Sequence, residues 1–305
     1  MAADTGRRRA AFIGLGTMGR PMASRLLAAG WDLAVFDIAP AAVRPLLDAG
    51  AHGADSPLDA ARQADFVVTA LPNSRHVREA TTGPVGALLG APRGSVLVDL
   101  STIDPATSRD VAREAERRGV AMLDAPVSGS SAGAADGSLT IMVGGDADVL
   151  DRARPLLDVL GTKIVHCGAS GMGATVKLAN QVMAGISMVA TAEGFRLTRA
   201  LGVDPRLLYD VSTSGSGDSW SLRTRPPVPG VLADSPADHD FRPGFTGDLM
   251  RKDLDLALSA ADGVGLTLPL AAAARELYAR LGPADLGRKD FSAVIEVLPR
   301  RSDGT

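Results

Sequence analysis

The sequence predicts an α/β chain in three parts: an N-terminal doubly wound domain over residues 8–168, a long inter-domain helix over 169–200, and an all-α C-terminal domain over 201–305. Three observations carry this. As far as His166 the chain alternates short apolar runs with helical patterns, and the runs lack the alternation of a half-exposed strand, so they read as parallel strands covered on both faces. Met172–Ala200 is one unbroken run of helix formers with few charges. Beyond it the strand signal stops. At 305 residues the chain is also longer than a single core usually supports.

The elements follow in order. Ala10–Ile13 reads as a buried strand, Gly14–Gly19 as a loop, and Met18–Ala29 has helical spacing. Leu33–Phe36 is a second strand and Ala41–Ala49 a helix. Phe66–Leu71 is a strand ended by Pro72, and Val96–Asp99 is another. Pro105–Arg118 is a charged amphipathic helix, followed by strands at Ala121–Asp124, Leu139–Val143 and Ile164–His166. The 172–200 helix would span on the order of 40 Å. Val176, Leu178, Val182, Met183, Ile186, Met188, Val189 and Phe195 occupy most of its circumference, which predicts burial on several sides, between the domains and against a second subunit. Further on, Leu249–Ala261 and Pro269–Leu281 are the clearest helices, and Arg223–Pro243 the longest loop.

Composition excludes several classes. Lys plus Arg is 32 against 35 for Asp plus Glu, a net charge of −3, so no general phosphate-coating or nucleic-acid role is expected. No stretch is apolar enough for a transmembrane helix. Residues 1–7 read as a polar tail, and the apolar run after them enters a glycine loop rather than a cleavage site, so a cytoplasmic chain is expected. The single Cys167 forms no internal disulfide, and His52, His76, His166 and His239 lack ligand spacing, so no metal is expected. Of the 32 basic residues only Lys163, Lys177, Lys252 and Lys289 are lysine. Where lysine survives such a bias, its compact, deprotonatable amine is the property arginine cannot supply.

Gly14-Leu15-Gly16-Thr17-Met18-Gly19 fits G-x-G-x-x-G between the first strand and its helix, the Rossmann-type context. Gly14 allows the turn, Gly16 the approach of a pyrophosphate, and Gly19 close helix–strand packing, while the helix N-terminus offers amides to the phosphates. Asp37 ends the second strand 18 residues past Gly19, where a carboxylate accepts ribose hydroxyls and repels a 2′-phosphate. NAD is therefore expected over NADP, with Arg44 the residue that keeps NADP open. Leu71-Pro72-Asn73 and Ser101-Thr102-Ile103 also follow strands, and residue type alone fits a helix cap as well as a cofactor contact.

Two later segments carry chemistry. Asp124–Ala134 is rich in small residues whose amides can converge on an anion such as a carboxylate, although a flexible loop has the same composition. Gly168–Asn180 opens the long helix and places Lys177 and Asn180 at i and i+3, on one face. Apolar surroundings there would lower a lysine pKa; the plain alternative is a snorkelling surface lysine.

At these residues the chain resembles the β-hydroxyacid dehydrogenase family, over nearly everything from Ala10 to Pro299, through the Gly14–Met22 loop, Asp124–Gly137, Gly168–Asn180 and Lys252-Asp253-Leu254. Ser101–Ala106, Ser216–Trp220, Pro227–Val231 and Asp290-Phe291-Ser292 look like its 3-hydroxyisobutyrate dehydrogenase branch. The resemblance implies NAD-linked oxidation of a small β-hydroxy acid by a homodimer or homotetramer. It implies Lys177 as catalytic acid/base, and Ser128, Gly129, Ser130, Asn180, Gln181 and Trp220 as substrate contacts. Gly14, Leu15, Gly16, Thr17, Met18, Gly19, Asp37, Leu71, Pro72, His76, Thr102, Phe245 and Lys252 are implied at the cofactor. Two positions depart from the family pattern: Ser130 stands where a second glycine is usual, and Gln181 where a second asparagine often follows Asn180. Tartronate, succinate and glyoxylate semialdehyde reductases are the nearest alternatives, and a non-catalytic dinucleotide-binding interaction protein is the alternative of another class. Lys177 argues against imine reductases, which share the fold and lack that lysine.

Overall fold

The computed structural model describes residues 8–299, so the polar tail expected over residues 1–7 lies outside the described residues. The chain divides into two compact units, Met1–Lys177 and Leu178–Thr305.

The first unit runs β1 (Arg9–Ile13), α1 (Gly19–Ala28), β2 (Asp32–Phe36), α2 (Pro40–Asp48), β3 (His52–Gly53), α3 (Pro57–Ala61), β4 (Phe66–Thr69), α4 (Ser74–Thr82), α5 (Ala87–Gly90), β5 (Val96–Asp99), α6 (Pro105–Arg117), β6 (Ala121–Asp124), β7 (Val127–Ser128), α7 (Ser130–Asp136), β8 (Leu139–Gly144), α8 (Ala147–Leu160) and β9 (Gly161–Gly168). Side chains capping the first turns set where several helices begin. Ser56 accepts from Asp59 N–H, Asn73 from His76 N–H, and Asp104 from Thr107 N–H with Pro105 behind it at the first helical position.

The sheet order is β3-β2-β1-β4-β5-β6-β8-β7, with β9 beside β8. Strand order reverses between β1 and β4, the switch point where such sheets bind ligands. β1, β4, β5 and β6 lack alternation because both faces are covered; β2 alternates in burial, and β9, expected to be covered like the rest, is largely exposed. Phe12, Val68, Val98 and Leu123 face one layer with Met22 and Leu26 of α1 and Leu156 of α8. Ile13, Val67, Leu97 and Met122 face the other with Ala61 of α3, Val77 of α4 and Val111 of α6.

The expectation of a wholly parallel sheet needs one correction. β3 through β6 pair in parallel, but β8 is antiparallel to β6 and β7. Only the short α7 separates β7 from β8, too little chain for a right-handed crossover, so the chain turns back instead. The segment read as a loop after Asp124 thus contains a two-residue strand and a helix. Arg25 of α1 holds that helix, donating to Ala135 O at 3.0 Å and Val159 O at 2.9 Å.

The long helix α9 (Met172–Ala200) has the expected bounds, and the two units divide within it, after Lys177. Within one copy of the chain, burial of α9 follows one face. Leu178, Met188 and Phe195 are buried, but Met183 is 70% exposed and Val176 is also open. The second unit continues through α10 (Pro205–Thr213), α11 (Trp220–Thr224), α12 (Gly247–Asp262) and α13 (Pro269–Ala279). Its core joins Met188 and Phe195 to Met250 and Leu254 of α12, Tyr278 of α13, and Phe291 and Val294. Gly185 lets α12 approach α9: a Cβ there would lie 3.0 Å from Met250 Sδ and 3.3 Å from Leu254. The Tyr278 hydroxyl is satisfied in this core by Gly185 O at 3.2 Å.

Candidate active site

Strand register gathers the first unit's candidate residues. Phe36, Ile13, Thr69, Asp99 and Asp124 pair across β2-β1-β4-β5-β6 and end their strands in one row. The next residues are therefore Asp37, Gly14, Ala70-Leu71, Leu100–Thr102 and Ala125–Ser128, all at the carboxyl edge of the sheet.

The glycine loop is shaped for a guest. Gly14 has φ +95°, and a Cβ on it would lie 2.8 Å from Leu71 Cδ2; one on Gly19 would strike the Gly14 carbonyl. Those two glycines are required by the protein itself. Gly16 is different: a Cβ there would meet nothing within 4 Å. Its open space is what a pyrophosphate lying on the loop would fill, and no side chain caps α1 against it. Asp37 braces the loop, accepting Leu15 N–H at 2.6 Å through one oxygen and Ala39 N–H at 2.8 Å through the other. A carboxylate has about four lone-pair sites, so it keeps acceptor capacity for ribose hydroxyls. Arg44 is occupied by an ion pair with Asp48 at 3.0 Å. These residues fit NAD.

Of the two readings left open for the neighbouring loops, the structure shows the helix cap at Asn73. Asn73 caps α4, and its Oδ1 also lies 2.8 Å from His76 Nδ1. Ser101 Oγ accepts Leu71 N–H at 2.9 Å, tying the Leu71-Pro72 turn to the turn that carries Thr102.

Ser128 closes β7, Gly129 has φ +141°, and Ser130 has φ +61°. A non-glycine residue is held here in the left-handed region that glycine would occupy without strain. Asp124 then joins this segment to Lys177. Its buried carboxylate accepts Gly171 N–H at 2.7 Å and Ala174 N–H at 2.8 Å, capping α9 from about 50 residues away in sequence. Burial pushes the Asp124 carboxyl above its usual range, against the lowering effect of those amides. The contact is tight enough to require glycines: a Cβ on Gly173 would lie 2.5 Å from Asp124 O, and one on Gly144 would lie 2.6 Å from Asp124 Oδ1. Lys177 stands about one turn beyond this cap and is 5% exposed.

Asp99 is the second buried carboxylate of the row. It accepts Thr69 Oγ1–H at 2.8 Å and Ser101 N–H at 3.1 Å through Oδ1, while Oδ2 has no hydrogen-bond partner. Burial raises its pKa to about 6, with a further contribution from Asp124. The sequence reading missed both acids. The available signal was an Asp closing an otherwise apolar strand.

In the second unit the candidates form two clusters. Asn180, Gln181 and Lys252 meet at the buried Asp253: Gln181 Nε2 donates to Asp253 Oδ2 at 2.7 Å, Asn180 Nδ2 donates to Gln181 Oε1 at 3.2 Å, and Lys252 Nζ lies 2.9 Å from Asp253 Oδ1. Trp220 and Phe245 are organised around Asp290, which is 0% exposed. Asp290 pairs with Arg225 and accepts Gly244 N–H and Phe245 N–H; the Arg225 guanidinium lies 5.6 Å from the centre of the Trp220 ring, and Phe245 packs edge-on against Phe291. Among the described residues no cluster of His, Cys, Asp and Glu could hold a metal ion, and no helix is long and apolar enough to cross a membrane.

Known proteins share this architecture. Residues 9–168 match the family model of the NAD binding domain of 6-phosphogluconate dehydrogenase, and residues 171–298 match the model described as NAD-binding of NADP-dependent 3-hydroxyisobutyrate dehydrogenase. The chain is 43% identical over 296 residues to a probable 3-hydroxyisobutyrate dehydrogenase of Mycobacterium tuberculosis, covering 96% of this chain and 98% of that one. It is 42% identical over 291 residues to an NAD-dependent L-serine dehydrogenase of Pseudomonas aeruginosa, covering 95% and 98%. A solved structure of Mycobacterium tuberculosis 3-hydroxyisobutyrate dehydrogenase with L-serine superposes with a TM-score of 0.91 at 41% identity, covering 96% of this chain and 100% of that one. The chain therefore belongs to the β-hydroxyacid dehydrogenase family, an NAD-dependent dehydrogenase with a Rossmann NAD-binding domain followed by a helical C-terminal domain.

Proposed function

We propose that the chain oxidises 3-hydroxyisobutyrate, or a close β-hydroxy acid, to the semialdehyde, with Lys177 as general acid/base. One observation carries the reading. Lys177 is withdrawn from water one turn into a helix capped by Asp124, and Asp124 ends the strand that leads to Ser128–Ser130. In this reading Ser128, Gly129 and Ser130 hold the substrate carboxylate, and Asn180 and Trp220 touch the rest of the substrate. The resemblance assigns the glycine loop, Asp37, Leu71, Pro72, His76, Thr102, Phe245 and Lys252 to the cofactor.

Oxidation removes a hydride from the carbinol carbon and a proton from its hydroxyl. NAD⁺, when bound, supplies the hydride acceptor. Lys177 as the neutral amine takes the proton, and in the reverse direction its ammonium returns one to the developing alkoxide. Such general acid–base help is worth ~10²–10⁴-fold. Asp37 favours NAD over NADP, a reading supported by Arg44 being paired along α2 and Ile38 being exposed with no group for a 2′-phosphate. The open apolar side chains Met183, Leu207 and Val211 support a homodimer or homotetramer.

L-serine is the second reading, favoured by the L-serine dehydrogenase among the relatives. It is a β-hydroxy acid with an amine at C2, so the same proton and hydride transfers apply. The test is a panel of 3-hydroxyisobutyrate, L-serine, glycerate and 3-hydroxypropionate, each with NAD⁺ and NADP⁺. The highest kcat/KM is expected for 3-hydroxyisobutyrate with NAD⁺. A higher value for L-serine moves the assignment to serine, and no turnover with any of them refutes the proposal.

A further inference from the structure

We propose that Gln181 is a positioning residue that acts through Asn180: anchored to Asp253, it fixes the direction of the Asn180 amide and leaves that side chain's oxygen as the group offered to substrate. The proposal rests on the reading of Asn180 as a substrate contact.

The argument uses the one-way character of a carboxylate. Asp253 is 1% exposed, and a carboxylate oxygen accepts hydrogen bonds without donating them. Lys252 Nζ is 2.9 Å from Oδ1 as an ion pair, and Oδ1 has no hydrogen-bond partner. Gln181, 5% exposed, meets Oδ2 at 2.7 Å and must present its NH₂ there; the reversed amide would set two acceptors against each other in a buried site. Gln181 Oε1 then faces Asn180, which must present its own NH₂, at 3.2 Å. Each amide is set by the one before it, and the last free choice is removed at Asn180. Asn180 itself is exposed, so it offers Oδ1 outward as an acceptor.

An outward acceptor suits a donor on the substrate: the ammonium of an amino acid such as serine, since the single hydroxyl proton of a β-hydroxy acid goes to Lys177. The longer arm of Gln181, at a position where the family often has asparagine, is what spans from Asn180 to Asp253. Through its amide Gln181 reaches both Asn180 and Asp253.

A double-mutant cycle tests this with Gln181→Met, which has similar length and no amide, and Asn180→Ala. With L-serine as substrate, Gln181→Met in the wild-type background should lower kcat/KM about tenfold, mainly through KM, with NAD⁺ affinity by fluorescence unchanged. In the Asn180→Ala background it should cost nothing further, because its effect passes through Asn180. The same loss in both backgrounds would overturn the proposal, since Gln181 would then act on its own. A Gln181→Met enzyme within twofold of wild type would overturn it as well. If Asn180→Ala alone has no effect, the substrate-contact reading of Asn180 fails, and the proposal with it; the single variant keeps the two failures apart. Should Gln181→Met not fold, Gln181→Asn enters the same cycle: its shorter side chain keeps an amide but gives up reach toward Asp253, and the same absence of further loss beside Asn180→Ala is expected.

Discussion

Asp99 gives the chain a pH-dependent stability whose sign and size follow from its surroundings. Its carboxyl is 1% exposed, one of its oxygens lacks a hydrogen-bond partner, and its pKa is raised from 3.8 to about 6, chiefly by burial. A folded-state pKa above the unfolded value means that the native chain binds the extra proton between those two values. The associated stabilisation is present below the unfolded pKa and is lost as pH rises through the folded pKa. At 1.36 kcal/mol per pKa unit the full swing is about 3 kcal/mol, and between about pH 4.5 and about pH 7.5 it amounts to about 2 kcal/mol. Asp99→Asn keeps an oxygen for the Thr69 hydroxyl and Ser101 N–H and removes the titration. Urea unfolding of both proteins across this range reports the Asp99 contribution, because titrating groups not coupled to it cancel in the difference. Wild-type stability relative to the variant should fall by about 2 kcal/mol from the acidic to the neutral end. A flat difference, or a rise with pH, refutes the reasoning.

Two further expectations concern the cofactor loop and its neighbours. Gly16→Ala and Gly173→Ala are the same chemical change with opposite outcomes. The first adds a methyl to open space and should weaken NAD⁺ binding with Tm nearly unchanged; the second drives a Cβ to 2.5 Å from Asp124 O and 2.8 Å from Gly144 N and should cost about 3 kcal/mol in urea unfolding. Unchanged NAD⁺ affinity in Gly16→Ala would contradict the assignment of Gly16 to a guest, and an unchanged Gly173→Ala stability would contradict the tight contact with Asp124. Asp37→Ser should cut the NAD/NADP ratio of kcat/KM by about tenfold; an unchanged ratio removes Asp37 from cofactor choice.

Much of the first unit was legible because its information is local. The apolar runs at Ala10–Ile13 and Val96–Asp99, the glycine spacing from Gly14, and the cap at Asn73 each declare themselves within a few residues. The bounds of α9 were legible for the same reason. Its burial was not: periodicity shows that Met183 is apolar, but not whether anything in the single chain covers it. The antiparallel return of β8 was hidden because Val127–Asp136 is made of small residues that fit a loop as well as a strand and helix. The scarcity of lysine was only a partial guide. Lys177 is buried, but Lys163 is exposed and Lys289 pairs with Asp240. Least legible were the long-range partnerships that organise the candidate site: Asp124 with the start of α9, Gln181 with Asp253 across 72 positions, and Arg225 with Asp290 across 65. No local pattern encodes such pairs, which exist only once the fold has brought the strand end, helix start or loop into register.

The account stands or falls on the amine of Lys177. The direct measurement is kcat for Lys177→Ala and Lys177→Arg, beside NAD⁺ affinity by fluorescence for each. Alanine has no group to take the proton, and arginine keeps the charge but cannot act as a base, so both should lose ~10²–10⁴-fold in kcat while NAD⁺ affinity holds. Near wild-type turnover in either variant would contradict it.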